Sequence, residues 1–402
     1  MRRIIVSMAA LAISLGLAQA QSPTFKIGVL NDQSSLYSDL TGTGSVTAAK
    51  MAVEDFGGKV LGQRIEVISA DHQNKPDVGS TVARRWIDVD KVHAIVDVPA
   101  SSVAFAVQEI TRETKTPFLI SGAASSDLTG KSCSPFGIHW TYDTYALAAG
   151  TARGVVQSGG KKWYFITQDN AFGHALQRDI AGFVKAAGGE VLGSTAHPLN
   201  SSDFSSYLVQ AQAAKPDVVA LATAGSDFTN ALKQASEFGL VAEGIKIVGT
   251  SVTINDVHSL GLETAQGVQF AAPFYWDMTP ETRTWSQRFY DIEGKMPNHI
   301  HAGVYGAVKH YLEAVQAVGS SNGAKVVEKM KAMPINDFFT RDGKIRPDGK
   351  VARPFYLFEV KAPSESKGEW DLLTMLEVIP AEETAVPLEQ SACGLLKKAS
   401  NE

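Results

Sequence analysis

The sequence is poor in cysteine and has no concentrated block of positive charge. Only two of its 402 residues are cysteines, which excludes a small fold held together by many disulfides, and no Cys-x-x-Cys redox motif is present. The formal net charge is −5 and no run of lysine and arginine occurs, which argues against a nucleic-acid partner. With 44% hydrophobic and 20% charged residues, the composition is that of a globular protein. The length favours more than one domain.

Motifs for phosphate binding and hydrolysis are also missing. No glycine-rich loop ends in Gly-Lys-Ser or Gly-Lys-Thr, and no Gly-x-Ser-x-Gly nucleophile motif occurs. Gly42-Thr43-Gly44 matches half of a dinucleotide-binding fingerprint, but Thr47 stands in the place of the third glycine. His299 and His301 have no third ligand at metal-binding spacing. The sequence therefore indicates no reaction, and we expect no enzymatic activity, no cofactor and no metal.

The one long apolar run lies at the N-terminus. Arg2 and Arg3 precede an apolar stretch over residues 4–17, and Ala18-Gln19-Ala20 supplies the small residues of a signal-peptidase site. About 14 apolar residues are fewer than the roughly 20 that a membrane-spanning helix needs. The sequence predicts a signal peptide over residues 1–20, cleaved after Ala20, and an exported protein. A retained membrane anchor is the alternative.

The predicted export bears on the redox state of the two cysteines. Cys133 and Cys393 lie 260 positions apart. An oxidising compartment favours a disulfide between them, which would tie the C-terminal tail to the first half of the chain. Two unpaired buried thiols are the alternative.

After residue 23, short β-rich runs alternate with helical stretches. The strands predicted in a first block lie near residues 25–30, 65–68, 94–96 and 117–120. Those of a second block lie near residues 163–166, 190–194, 218–222, 245–248 and 267–271, followed by helices up to about residue 333 and by β-rich segments at 355–360 and 370–378. This order predicts an α/β fold of two lobes with largely parallel sheets, joined by several crossings. Ligands of such sheets bind beyond the carboxyl ends of the strands.

Two short loops follow buried strands at that edge. They read Pro99-Ala100-Ser101-Ser102 and Ser121-Gly122-Ala123-Ala124-Ser125. Small residues let backbone N–H groups approach a ligand, and a helix N-terminus favours a carboxylate. The alternative is that Ser101 or Ser102 only caps the next helix. Aromatic residues predicted at the same edge are expected to form the apolar part of a pocket, with a core or rim position as the alternative: Tyr37, Phe172, Tyr275 and Trp276.

Several stretches resemble the periplasmic branched-chain amino-acid-binding proteins. They are Lys26-Ile27-Gly28-Val29-Leu30, Ala48-Ala49-Lys50-Met51-Ala52-Val53-Glu54-Asp55, Leu61-Gly62-Gln63, residues 65–71, Asp169-Asn170-Ala171-Phe172-Gly173 and the turn region 341–350. The resemblance covers nearly the whole chain after residue 23. It implies a type I periplasmic binding protein with two Rossmann-like lobes, a three-stranded hinge and Venus-flytrap closure. The implied partner is an inner-membrane ABC permease that imports the bound ligand.

The resemblance also sets the expected domain boundaries. Lobe I is expected to hold residues 24–142 and 273–344, and lobe II residues 143–272 and 345–379. The tail, residues 380–402, is expected to pack near Cys133. We expect a monomer that works in the periplasm.

The family's ligand site carries over in part. Ser102, or its neighbour Ser101, matches the serine that binds the ligand carboxylate. Ala123 and Ser125, on either side of Ala124, match the alanine and threonine that contact the same ligand head. Phe172 matches an aromatic residue of the family's pocket, and Tyr37, Tyr275 and Trp276 complete the expected site.

The departures from the family pattern bear on the ligand. Thr250-Ser251 stands where the amino-acid binders have an acid for the ligand's ammonium group, and Ala224-Gly225 stands where they have an aromatic residue. Asp227 could replace the acid but is expected to cap the following helix. A small hydrophobic or aromatic carboxylate, contacting Ser251, is therefore the expected ligand, as in the aromatic-acid-binding branch. A branched-chain amino acid is the alternative, and a secreted enzyme or a sensor ectodomain are alternatives of other classes.

Overall fold

The computed structural model describes residues 24–399, which form two α/β lobes. The predicted signal peptide lies outside the described residues. Within the described range, no helix combines the length and the apolar character needed to cross a membrane.

The strands and helices follow one another in the predicted alternation. The strands are β1 (Phe25–Asn31), β2 (Lys59–Val60), β3 (Gln63–Asp71), β4 (Val92–Asp97), β5 (Phe118–Ile120), β6 (Gly137–His139), β7 (Lys162–Gln168), β8 (Glu190–His197), β9 (Val218–Ala222), β10 (Lys246–Gly249), β11 (Gln269–Ala272), β12 (Lys344–Ile345), β13 (Val351–Ala352), β14 (Phe355–Val360) and β15 (Leu373–Ile379). The helices are α1 (Gly42–Phe56), α2 (Pro76–Arg85), α3 (Ser101–Thr114), α4 (Thr144–Gln157), α5 (Ala171–Ala186), α6 (Ser205–Ala213), α7 (Ser226–Glu237), α8 (Ile254–Leu260), α9 (Leu262–Ala265), α10 (Pro280–Glu293), α11 (His299–Val318), α12 (Gly323–Ala332) and α13 (Gly394–Ala399).

The first lobe is built on a six-stranded sheet in the order β2-β3-β1-β4-β5-β6. All neighbours in it are parallel except β2 and β3. The central strand β1 is buried on both faces because helices cover the sheet on each side, which explains its run of apolar residues. Helices α1 and α11 pack together on one face, and α2 and α3 pack together on the other.

The second lobe is built on a seven-stranded sheet in the order β15-β14-β11-β10-β9-β7-β8. Strands β7 to β11 pair in parallel, whereas β14 and β15 run antiparallel at one edge. Helices α4 and α5 pack together against one face. Phe204, Phe228 and Phe270 are buried in the core on the other face.

Within residues 24–399 the chain passes between the lobes three times: from β6 to α4, from β11 to α10 and from β13 to β14. The predicted class, two α/β lobes joined by several crossings, is confirmed.

Strands β2, β6, β12 and β13 were not predicted. The boundary expected at residue 345 falls in the β12–β13 hairpin, whose Ile345 and Val351 pack in the core of the first lobe. The third crossing therefore follows Ala352, and the other predicted boundaries stay predictions.

A disulfide fixes the C-terminal segment. Cys133 and Cys393 are bonded, with their Cα atoms 5.5 Å apart, so the predicted pairing is confirmed. The tail also packs at the third crossing, where the Thr384 hydroxyl donates to the carbonyl of Arg353 at 2.8 Å. The segment after β15 is therefore attached to the first lobe at Cys133 and to the third crossing at Arg353.

Candidate ligand-binding site

A small cavity lies between the lobes, at the carboxyl ends of strands from both sheets. Its lining residues are Tyr37, Leu40, Pro99, Gly122, Ala124, Tyr142, Phe172, Ala224, Ser251 and Ile300. Three of the ten are aromatic and none carries a charged side chain. The free volume is about 10 Å³, close to the space that one water molecule needs. The two lobes are therefore close together around this cavity.

The two loops singled out by the sequence meet on the first-lobe side of the cavity. The Ser101 hydroxyl oxygen accepts a hydrogen bond from the backbone N–H of Ser125 at 3.2 Å. Ser101 begins α3, so the N–H groups of Ser101, Ser102 and Val103 have no carbonyl within the helix to which they can donate. Such free amides, together with the helix dipole, favour an anion. Pro99, Gly122 and Ala124 of the same loops line the cavity.

Tyr142 lines the cavity at the point where the first lobe meets the second. Its hydroxyl donates to the carbonyl of Gly122 at 2.8 Å, and its ring contacts His299 edge-on. Burial raises the pKa of Tyr142, and the nearby Ser251 hydroxyl of the second lobe lowers it only in part. Tyr142 is therefore a neutral hydrogen-bond donor at ordinary pH.

Tyr37 makes a polar contact between the lobes at the cavity. Its hydroxyl donates to the side-chain oxygen of Gln168 at 2.8 Å, and the Gln168 amide donates to Asp227 at 2.9 Å. Burial raises the pKa of both Tyr37 and Asp227. Asp227 also accepts from the N–H of Asn200 and lies 4.0 Å from His197. This chain of polar groups runs from the cavity into the second lobe.

Asp227 is not at the cavity surface. It lies in the first turn of α7 but makes no side-chain capping hydrogen bond, so the expectation that it caps this helix is wrong. Its side chain is fully buried and bonds Gln168 instead.

Two other buried carboxyl groups lie behind the cavity, one in each lobe. Both Asp97 at the end of β4 and Asp256 in α8 act on the hydroxyl of Tyr142 through space. Burial raises the pKa of each to about 7. Asp256 accepts hydrogen bonds from the N–H and hydroxyl of Thr253, both at 2.8 Å. Asp97 has no comparable partner among the described residues.

Eight of the ten sequence-predicted residues lie at the cavity or in the two loops behind it. Tyr37, Ala124, Phe172 and Ser251 line the cavity. Ser101, Ala123 and Ser125 are buried in the two loops directly behind it, and Ser102 is half-buried in the first turn of α3.

Tyr275 and Trp276 lie elsewhere, which corrects their expected place in the cleft. The Tyr275 hydroxyl and the Trp276 indole N–H both donate to the carbonyl of Trp370 at 2.9 Å. This single acceptor holds both rings against the second lobe. Trp276 borders a separate surface depression together with Met296 and Trp370.

Several lining residues were missed: Leu40, Pro99, Gly122, Tyr142, Ala224 and Ile300. Pro99 and Gly122 lie in the loops that were selected, and Ala224 was noted only as a replaced aromatic. The run Trp140-Thr141-Tyr142 between β6 and α4 was an available signal, because aromatic residues at a lobe crossing are close to the cleft. Ile300 gives no local signal, since only the return of the chain through α11 brings it to the site.

Comparisons with known proteins find relatives that share this arrangement of two lobes. The sequence profile of the family described as periplasmic binding protein matches residues 24–369. A periplasmic binding protein from Burkholderia mallei is 45% identical, and its structure has a TM-score of 0.90 over 92% of this chain and 99% of that protein. A branched-chain amino-acid ABC transporter periplasmic ligand-binding protein from Burkholderia xenovorans LB400 is 38% identical, with a TM-score of 0.83 over 93% of this chain and 100% of the other.

A more distant structure shares the fold alone. It is an ABC-transporter solute-binding protein from R. palustris in complex with benzoate, 20% identical, with a TM-score of 0.82 over 92% of this chain and 100% of that protein.

Proposed function

This chain belongs to the periplasmic binding protein family, and we propose that it delivers a small hydrophobic or aromatic carboxylate to an ABC importer. Proteins of this kind bind small molecules for ABC transporters. Membership of this family implies that the protein works in the periplasm. Cleavage after Ala20 and a monomeric state are part of the proposal.

The lining of the cavity carries the proposal. Its surface is formed by aromatic and aliphatic groups with a few hydroxyls, and among the described residues that line it none is a carboxylate. An ammonium group buried there would lack a counter-ion. Loss of one partner of a buried ion pair costs about 3–5 kcal/mol, or more than about a hundredfold in affinity. A carboxylate ligand without an amine avoids this cost.

The polar groups of the site suit the carboxylate end of such a ligand. The free N–H groups at the start of α3 and the hydroxyl of Ser251 are donors, and a carboxylate accepts from donors only. Phe172 and Tyr37 offer ring faces and edges for an aromatic or aliphatic body.

Ligand entry requires that the lobes separate. A cavity of about 10 Å³ is far too small for a ring, so the arrangement described corresponds to a closed cleft. The three chain crossings allow the lobes to move about a hinge. A ligand that contacts both lobes stabilises the closed form because it has a higher affinity for that form.

A branched-chain amino acid is the second candidate. The name of the Burkholderia xenovorans relative supports it, and so do the buried carboxyl groups of Asp97 and Asp256 behind the cavity. Either group would suit an ammonium ion if side chains moved on binding.

The two candidates are separated by a thermal-shift screen on ligand-stripped protein. Benzoate, cinnamate, hexanoate and the twenty amino acids are compared side by side. Binding at a hundred times the dissociation constant stabilises the protein by about 2.7 kcal/mol. We expect shifts with amine-free carboxylates, abolished in Phe172→Ala but kept in Phe238→Ala, whose ring is partly exposed away from the cavity. Binding of leucine or valine with no response to amine-free carboxylates would reject the proposal.

A further inference from the structure

Asp97 is a fully buried acid directly behind the cavity. Neither of its carboxyl oxygens has a hydrogen bond of good geometry among the described residues, although the side chains of Ser45 and Asn31 lie close enough to lower its pKa in part. Its Oδ1 atom lies 2.6 Å from the position that a Cβ atom on Gly122 would occupy, and Gly122 lines the cavity. Only a glycine backbone therefore separates this carboxyl group from the ligand space.

The backbone at Asp97 is strained. Asp97 and Val98 have φ angles of +81° and +55°, in the left-handed region that residues other than glycine avoid and β-branched residues avoid most. The strained turn positions the carbonyl of Asp97 to accept from the N–H groups of Ser121 and Gly122, at 3.3 and 3.4 Å. Strain of this kind is retained where a precise local arrangement matters for function. Here it holds the two ligand loops together with the acid between them.

The groups that face Asp97 are neutral. Ser45 from α1 and Asn31 from the end of β1 stand nearest and partly oppose the effect of burial, and no charged side chain contributes to the pKa of Asp97. Tyr142, the titratable neighbour on the cavity side, is kept protonated by its own burial. An ionised Asp97 would thus be an uncompensated charge next to the amides expected to receive a ligand carboxylate.

We propose that Asp97 is the proton site of the cleft: it holds one proton whenever an anionic ligand is bound and thereby makes anion binding depend on pH. An asparagine would fill the same space without ionising. An aspartate at this position therefore differs from it only in the ability to bind and release a proton. Protonated, Asp97 leaves the loops free of negative charge and has one O–H to donate. Ionised, it repels the ligand carboxylate at short range. This inference rests on the proposed carboxylate ligand.

The pH dependence of benzoate binding tests the proposal, with cinnamate and hexanoate as further probes. Between pH 5.5 and 8.5 the probes stay ionised, and burial places the pKa of Asp97 at about 7. In the wild-type protein the dissociation constant should rise towards tenfold per pH unit above that pKa. Calorimetry in buffers of different ionisation heat should find close to one proton taken up at pH 8. Asp97→Asn should bind independently of pH, with no proton uptake.

Asp256→Asn is the matched control, because Asp256 is buried with a similar pKa but is already hydrogen-bonded by Thr253. It should keep the pH dependence. A slope that survives in Asp97→Asn, or is lost only in Asp256→Asn, overturns the proposal while carboxylate binding stands. Affinity for leucine that rises with pH would instead make Asp97 a counter-ion for an ammonium group, and the proposed function would fail with it.

A ligand-free measurement covers the case in which no probe binds. The folded-state pKa of Asp97 lies above its ordinary value of 3.8, so the folded protein loses stability as pH rises from about 4 to about 7. Relative to Asp97→Asn, the unfolding constant of the wild-type protein should rise by up to tenfold per pH unit across this window. A difference between the two proteins that is constant with pH would show that Asp97 does not titrate there, and would reject the inference.

Discussion

The hydroxyl of Tyr37 in the first lobe donates to the side-chain oxygen of Gln168 in the second lobe, at 2.8 Å. Beside it, the N–H of Ser226 donates to the carbonyl of Leu36 at 3.4 Å, again across the cleft. The lobes thus contact each other directly through groups of the protein, around a cavity of about 10 Å³. The free energy of closure therefore has a contribution from the chain itself, to which a ligand adds its own contacts.

Tyr37→Phe removes one of the hydrogen bonds between the lobes and should favour opening. A buried hydrogen bond of this kind contributes about 1 kcal/mol, which changes the ratio of closed to open molecules about fivefold. Small-angle scattering of ligand-free protein should show a larger radius of gyration than for the wild type. Tyr290→Phe is the control, because its hydroxyl makes no hydrogen bond to a described residue. An unchanged radius in Tyr37→Phe would contradict the role of this bond in closure.

Gly225→Ala should keep the lobes apart. Gly225 has a φ of +65°, and a Cβ atom there would lie 2.3 Å from the carbonyl oxygen of Leu36 in the other lobe. Gly239→Ala is the matched control, with a φ of +74° and open space around the added atom. Gly239→Ala should lose about 1 kcal/mol of stability from backbone strain, and Gly225→Ala somewhat more, because with a ψ of −145° it lies in a region that is nearly restricted to glycine. Only Gly225→Ala should also weaken ligand binding and enlarge the protein in scattering; equal affinities in the two variants would refute this.

Removal of the disulfide should destabilise the protein without changing the cavity. The bond between Cys133 and Cys393 joins residues 260 positions apart. A disulfide of this kind restricts the unfolded chain and thereby stabilises the folded state by about 2–4 kcal/mol. Urea unfolding of the Cys133→Ser/Cys393→Ser double variant should give a midpoint lower than that of the oxidised wild type and equal to that of the reduced one. Thiol titration of denatured, unreduced protein should find no free thiol. Two free thiols would disprove the pairing.

The parts of the site that the sequence predicted are those formed by short stretches of chain. The loops containing Ser101 and Ser125 stood out because small residues directly follow buried strands, and parallel strands end at the same edge. Residues brought in by chain crossings gave no such signal: Ile300 reaches the cavity only because α11 returns to the first lobe.

The misplacement of Tyr275 and Trp276 has a similar cause. Both follow β11 at the ligand-binding edge, so the pattern placed them in the cleft. Their hydrogen-bond acceptor, the carbonyl of Trp370, lies more than ninety positions further along the chain, and no local pattern indicates it. The fold class was accessible because hydrophobic periodicity repeats in every unit, whereas single side-chain partners depend on contacts distant in sequence.

The buried ion pair at the hinge yields the last prediction. Lys350 and Asp143 are each 3% exposed, with Nζ and Oδ2 2.7 Å apart, and Asp143 also caps α4 by accepting from the N–H of Ala146. Lys350→Met leaves the Asp143 carboxylate buried without its counter-ion, which should cost about 3–5 kcal/mol in urea unfolding. Arg341→Met breaks an exposed pair with Glu281 and should cost at most about 1 kcal/mol.

The double variant Lys350→Met/Asp143→Asn distinguishes the cost of an unpaired charge from the cost of lost packing. With no charge left unpaired, and with an asparagine that still caps the helix, it should recover a large part of the stability lost in Lys350→Met. Because the pair lies where β6 passes into α4, its loss should also loosen the hinge and raise hydrogen exchange of amides in the first turn of α4. If the double variant is no more stable than Lys350→Met, packing rather than the buried charge dominates at this crossing.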